Sequence, residues 1–251
     1  MKIVVTFAVR AEFANWRRSG FSQIEKAKPQ VFRMKTAEAE VYALLTGVGM
    51  VSSRDELLET LKIRADFCIA SGFAGGLKRQ YKPGSIVVAR TVHTDTNQTI
   101  LASDGALVAA AVRCGADPVN LFFTSKTIVN ATAERLRLAK IADAVDMESY
   151  HVLAEARRAG IPAVAVRAIS DSPDEPLPID FDRVLDGRGE VRWLDLLAQL
   201  ANQPGQLAKF TRFGIHSLGA ARNLARFLNR YVKFLATNES VRISLHRVAT
   251  T

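Results

Sequence analysis

The chain has 251 residues, 48% apolar and 24% charged, proportions that exclude a disordered chain and fit one large α/β domain or two small ones. The net charge is +9, but residues 201–251 hold eight Lys/Arg against one acid, Glu239, while the remaining 200 residues carry 26 basic and 24 acidic groups. Basicity confined to a tail argues against a nucleic-acid footprint over the whole protein.

The opening MKIVVTFAVRAEF holds an apolar run too short for a signal-peptide core and predicts a strand over Ile3–Val9. Val41–Leu45 predicts a second strand. Residues 51–64 (VSSRDELLETLKIR) predict a helix, with acids early and Lys/Arg late, as the helix dipole favours. Strands are expected at Phe67–Ala70, Ile86–Ala89, Leu121–Phe123 and Ala163–Ile169, and helices at Ala106–Cys114 and Ala144–Gly160. Continuous apolar strands separated by helices predict a mostly parallel twisted sheet covered on both faces, a three-layer α/β/α sandwich.

Residues 172–190 are rich in Pro, Asp and Gly and read as a loop; a helix is expected over 191–201, broken by Gln203-Pro204-Gly205. Gly214 to Leu235 is the most periodic stretch: Leu218, Leu224, Ala225, Phe227, Leu228, Tyr231, Val232 and Leu235 share about half of the helical wheel, and Arg222, Arg226, Arg230 and Lys233 the other. A body over 1–190 and a basic helical extension over 191–251 are therefore expected. Cys68 and Cys114 read as small buried apolar residues, with no disulfide framework, which points to a reducing cytosol. The histidines 93, 151, 216 and 246 lack metal-ligand spacing, so no metal is expected. No stretch approaches the ~20 apolar residues needed to span a bilayer.

Ligand sites in open parallel sheets lie at the carboxyl ends of strands. That rule selects Glu12, Gly47-Val48-Gly49, Ser71 to Gly76, and Asp171 with Ser170 and Asp174, together with Asp146 and Glu148 at a helix start. Taken singly, each has a structural reading as a tight turn, a cap or a dipole-favouring acid. GVGMVS keeps only two glycines of a dinucleotide fingerprint, with Ser52 in place of the third, and argues against a nicotinamide site.

Together, three segments resemble the nucleoside phosphorylase/nucleosidase superfamily of purine nucleoside phosphorylase type 1, most closely its methylthioadenosine/S-adenosylhomocysteine nucleosidase branch. They are SGFAGGL (71–77) with KPGSIVVAR (82–90), AVDMESYHVLAEARRAGIP (144–162), and VRAISDSPD (166–174). MKIVVTFAVRAEF and TGVGMVSS (46–53) match more loosely, and the resemblance runs in register to about residue 175.

The resemblance implies cleavage of a purine–ribose bond without a cofactor. Asp171, beside Ser170, would protonate the leaving base at N7, which requires a carboxyl kept neutral near pH 7. Glu12 would orient or deprotonate water, with Arg167 near the nucleophile. Glu148 would bind the ribose hydroxyls, Met147 would pack on the sugar, and Ile128, Val129 and the Gly72-Phe73 turn would line the substrate. Where related phosphorylases carry a phosphate-binding arginine and a turn serine, this chain has Ala70 and Phe73, which favours water over phosphate, although Arg10 and Arg167 are alternative phosphate ligands. The segment 91–105 is shorter than the loop that nucleosidases close over the base. Phe73, Phe122 and Phe123 suit either an apolar 5′ group or the core.

Three readings of the tail stay open: packing on the body or on another subunit, contact with an anionic membrane surface, and nucleic-acid binding, the last without any motif. A branch of the superfamily acts on adenosyl-hopane lipids, so a lipid-linked nucleoside at the inner membrane face is one alternative substrate. Others are a phosphate-dependent phosphorylase and a non-enzymatic nucleoside-binding protein. The resemblance also implies a homo-oligomer, a dimer or larger.

Overall fold

The structure, a computed structural model, describes residues 1–25, 30–50, 53–173 and 207–238. Ten strands form one sheet: β1 (Lys2–Phe7), β2 (Ser22–Glu25), β3 (Gln30–Lys35), β4 (Glu40–Leu45), β5 (Phe67–Gly76), β6 (Ile86–Thr94), β7 (Asn97–Ala102), β8 (Asp117–Thr124), β9 (Ala144–Asp146) and β10 (Ala163–Asp171). The helices are α1 (Arg10–Arg17), α2 (Arg54–Arg64), α3 (Gly105–Arg113), α4 (Thr132–Leu138), α5 (Ser149–Arg158) and α6 (Leu207–Thr237).

Side-chain alternation along the strands builds the sandwich. In β1, Ile3, Val5 and Phe7 face one core with Trp16 of α1, Leu107 of α3 and Phe227 of α6. Val4 faces the other core, with Leu57 of α2 and Val152 and Ala156 of α5. Three layers follow, as the apolar runs predict.

The longer strand pairings are mostly parallel, as expected, and antiparallel partners are added to them. β1–β4, β1–β5, β5–β10, β6–β8 and β8–β9 are parallel. β6–β10, β2–β3, β3–β4, β5–β9 and β6–β7 are antiparallel, so the sheet is mixed. The antiparallel partners are mostly short or edge strands. Four of β7's six residues in a row are exposed, which leaves no apolar pattern to read. β7 pairs with β6, so most of the segment 91–105 is a hairpin and not an open loop.

The expected helix over 144–160 begins instead as strand β9, and the helix starts at Ser149. The first strand ends at Phe7, because residues 10–17 turn into α1. Phe122 and Phe123 are core residues. The expected loop 172–190 and helix 191–201 lie outside the described residues beyond Pro173.

The periodic tail is helical from Leu207, seven residues before the stretch singled out in sequence. Its apolar half is buried from Leu224 onward, where Leu224, Phe227, Leu228, Tyr231 and Leu235 are all 0% exposed, but Leu218, expected on the same half, is exposed. Tyr231 Oη donates to the Leu107 carbonyl at 2.7 Å, and Trp16 Nε1 donates to Asn229 Oδ1 at 2.7 Å, tying α6 to α3 and α1.

β5 positions the site. One of its sides pairs with β10 along most of its length, while the other pairs with β1 over Phe67–Ala70 and with β9 only at Gly75 and Gly76. Between those partners the sheet splits, and the split opens a cavity.

Candidate active site

The cavity, about 340 Å³, lies within the range of small-molecule sites. Glu12, Phe73, Ile128, Val129, Met147, Glu148, Ser170 and Asp171 all line it, although they come from five separate stretches of chain. Arg167 and Gly72 do not line it; they stand behind the carboxylates.

Glu12 closes the split. Its Oε1 accepts from the Phe73 N–H at 2.8 Å, and its Oε2 from the N–H groups of Ala8 and Val9 at 2.8 and 3.1 Å. A side chain on α1 thus takes the place of a strand neighbour for β5. Burial raises its carboxyl above the ordinary range, opposed by Arg167 and by these three N–H groups. Gly72 has φ +143°, and a Cβ there would stand 2.5 Å from Arg167 Nη1 and 2.6 Å from Glu12 Oε1. Gly72 thus leaves clearance for Arg167 and Glu12, and it is not among the residues that line the cavity.

Arg167 sits in the middle of a wholly buried strand and is 0% exposed. Its Nη2 lies 2.8 Å from Asp146 Oδ2 and 3.5 Å from Glu148 Oε2. Nη1 donates to the Ser71 carbonyl at 3.0 Å, and Nε and Nη2 donate to Ser149 Oγ at 3.2 and 3.1 Å. Every guanidinium nitrogen therefore has a protein acceptor. Burial opposes its charge, but Asp146, Glu148 and Glu12 outweigh burial and hold the guanidinium ionised more firmly.

Asp146 ends β9, accepting from Thr124 Oγ1 at 2.7 Å and the Ser149 N–H at 3.3 Å. Glu148, two residues on, accepts the Gly49 N–H at 3.0 Å. Gly49 can present that N–H because it adopts φ +67°, which L-residues rarely take. Burial pushes the Glu148 carboxyl up to about 7; Arg167 pulls it down, and Asp146 and Glu12 add to the rise.

Asp171 ends β10, where the register with β5 shifts between Ile169 and Asp171. The shift sets Asp171 opposite Gly75, consistent with the way bulges re-aim side chains at sites. Its Oδ1 accepts from Ser170 Oγ at 2.6 Å and its Oδ2 from Arg135 Nη2 at 2.6 Å. Arg135, on α4, is 2% exposed. The sequence offers no signal for it, because its partner lies 36 positions away.

The cavity has a further wall unforeseen in the sequence. Phe213 and Ser217 of α6 line it, with Val9, Val48, Thr127 and Val145. Among the described residues, no group of His, Cys, Asp or Glu could hold a metal ion. The site therefore has four carboxyl groups lining an apolar chamber, Glu12, Asp146, Glu148 and Asp171, with Arg167 behind the first three and Arg135 behind the last.

A family profile described as the phosphorylase superfamily matches residues 2–191. Solved structures with similar folds include a 5′-methylthioadenosine/S-adenosylhomocysteine nucleosidase from Neisseria meningitidis in complex with methylthio-immucillin-A. It shares 22% identity over 92% of this chain and 98% of its own, with a TM-score of 0.69. A futalosine hydrolase from Helicobacter pylori shares 18% identity over 93% and 97%, with a TM-score of 0.71. A mutant MTAN from the same organism, with 5′-methylthioadenosine in its active site, shares 18% over 92% and 98%, with a TM-score of 0.68.

Proposed function

The chain belongs to the phosphorylase superfamily, and from that premise we propose that it hydrolyses the N-glycosidic bond of a purine nucleoside, a 5′-substituted adenine nucleoside foremost. The observation that carries this reading is the placement of Glu12, Glu148 and Asp171 around one cavity.

Bond cleavage makes the ribose oxocarbenium-like and leaves negative charge on the base. Asp171 is the acid for the base, Glu148 binds the sugar hydroxyls, and Glu12 takes a proton from the attacking water. The raised affinity of Glu12 for a proton suits a base, while its three N–H partners hold it in place. Ile128, Val129, Met147 and Phe73 supply apolar walls for base and sugar.

Water is favoured over phosphate on electrostatic grounds. Glu12, Asp146, Glu148 and Asp171 line the cavity, whereas Arg167 and Arg135 lie behind them. A phosphate dianion would meet carboxylates first, and Arg167 has no nitrogen left to offer it. Arg10, the other candidate, donates to Gln30 Oε1 at 2.9 Å on the exposed side of α1.

The test is release of free base from methylthioadenosine, S-adenosylhomocysteine, adenosine and inosine, with and without phosphate. Base is expected without phosphate. Release only with phosphate would make the protein a phosphorylase, and tight binding without release would make it a nucleoside-binding protein. Asp171→Asn is expected to abolish turnover in a folded protein; near-normal activity would refute the mechanism.

A further inference from the structure

Arg135 projects from α4 into the protein beneath the cavity. Its Nη2 donates to Asp171 Oδ2 at 2.6 Å and to the Gly76 carbonyl at 3.0 Å. Among the described residues, its Nε and Nη1 have no hydrogen-bond partner. Space for the pair comes from Gly75, where a Cβ would stand 3.2 Å from Arg135 Nη2 and 3.3 Å from Asp171 Oδ2.

A buried guanidinium is costly unless an anion compensates it. The ion-pair partner here is Asp171, at a charge-assisted distance. Both oxygens of Asp171 accept hydrogen bonds, one from this cation and one from Ser170. An opposite charge so close favours the carboxylate over the carboxylic acid. Protonation of a leaving base needs the carboxylic acid. The free protein and the reacting complex thus require different charge states of one group.

We propose that Arg135 is a positioning residue that keeps Asp171 ionised in the free protein, so that Asp171 takes up its proton only when a nucleoside fills the cavity. This rests on the reading of Asp171 as the acid. The cycle balances. Asp171 gains one proton from solvent on binding. The glycosidic bond breaks with its electron pair going to the base, and the proton passes to the base. Water adds to the sugar carbon and gives its proton to Glu12, which returns it to solvent. Asp171 ends as a carboxylate beside Arg135, ready for the next substrate. Among the described residues, the groups beside Asp171 include Arg135 from α4, Ser170 from β10 and the backbone of Gly75–Gly76 from β5; elsewhere on the cavity wall Asp146 and Glu148 pair with Arg167, whose charge also reaches Glu12.

Two measurements test it. Calorimetric binding of a non-cleavable methylthioadenosine analogue, in buffers of different ionisation enthalpy, is expected to show uptake of about one proton near pH 7, lost in Arg135→Gln. No uptake by the unaltered protein would overturn the proposal. The pH profile of kcat/KM, which reports the free enzyme, is expected to lose activity as pH rises. In Arg135→Gln that limb should move up by about 1–3 pH units, and Arg135→Lys should restore it. Gly75→Ala, which crowds the pair without removing the charge, should shift it in the same direction. A folded Arg135→Gln with an unshifted limb would also overturn the proposal. If Asp171→Asn is inactive while Arg135→Gln is unshifted, this inference alone falls. If Asp171→Asn stays active, the functional reading falls with it.

Discussion

Glu148 is a carboxyl group whose burial outweighs the pull of its cation: Arg167 stands 3.5 Å away, yet the group is pushed up to about 7. A carboxyl that holds its proton more tightly folded than unfolded makes the folded state bind more protons as pH rises through the usual carboxylate range. Its contribution therefore falls as pH rises from the ordinary glutamate value of 4.5 toward about 7 and is spent above that. Glu12, raised for the same reason, acts in the same direction. Glu148→Gln should flatten this slope: the drop in Tm between pH 5 and pH 7.5 should be smaller than in the unaltered protein. An equal drop would show that Glu148 does not titrate there.

The carboxyl groups were legible because they fall just after strands or at a helix start in motifs that resemble a known family. Their supports were not. Gly72 and Gly75 read as turn residues, but their function is the room they leave beside charged groups. Arg135 is one of two arginines in a short helix, and only the fold distinguishes it from Arg137, which pairs with Glu134 at the surface.

The element most changed by the structure is α6. Its periodicity was plain in sequence, but periodicity does not say what covers the apolar half. The cover is the sheet, with α1 and α3. A membrane contact made by that apolar half from Leu224 onward has no surface to use, because those residues are already buried. The helix also reaches the cavity through Phe213 and Ser217, so it shapes the substrate space as well as the core. Leu228→Ala should cost about 2–5 kcal/mol in urea unfolding, the usual range for a buried leucine. A loss below 1 kcal/mol would mean that the helix packs more loosely than described. Conversely, β9 was absorbed into the following helix because three apolar residues before a helical pattern carry no period of their own.

At the scale of the molecule, charge and apolar surface are sorted around α6. Arg222, Arg226, Arg230 and Lys233 are exposed along its outer side, and Ile215 and Leu218 are 63% and 56% exposed near the cavity end. Among the described residues, no helix is long and apolar enough to cross a membrane. Contact with an anionic surface would fall to the cationic stripe and would weaken with salt. Replacing Arg222, Arg226 and Lys233 together by Gln should leave Tm and base release unchanged while the protein elutes earlier from a cation exchanger. A large loss of stability would mean that the stripe has a structural role.

The mixed strand pairing has a consequence for how copies of the chain can meet. β5, β10, β6, β8 and β9 are hydrogen-bonded in a closed circuit, each to the next and β9 back to β5. A ring of strands leaves little free rim: among the described residues, the half of the sheet that carries Asp171 is open at the split beside β5, where Glu12 occupies the Phe73 N–H in place of a strand. Among the described strands, the rims left over are β2 and β7, at the far end of the sheet and on the outer hairpin. Misassembly by strand addition, the usual hazard of a large sheet, is thereby steered to those two strands and away from the reacting groups.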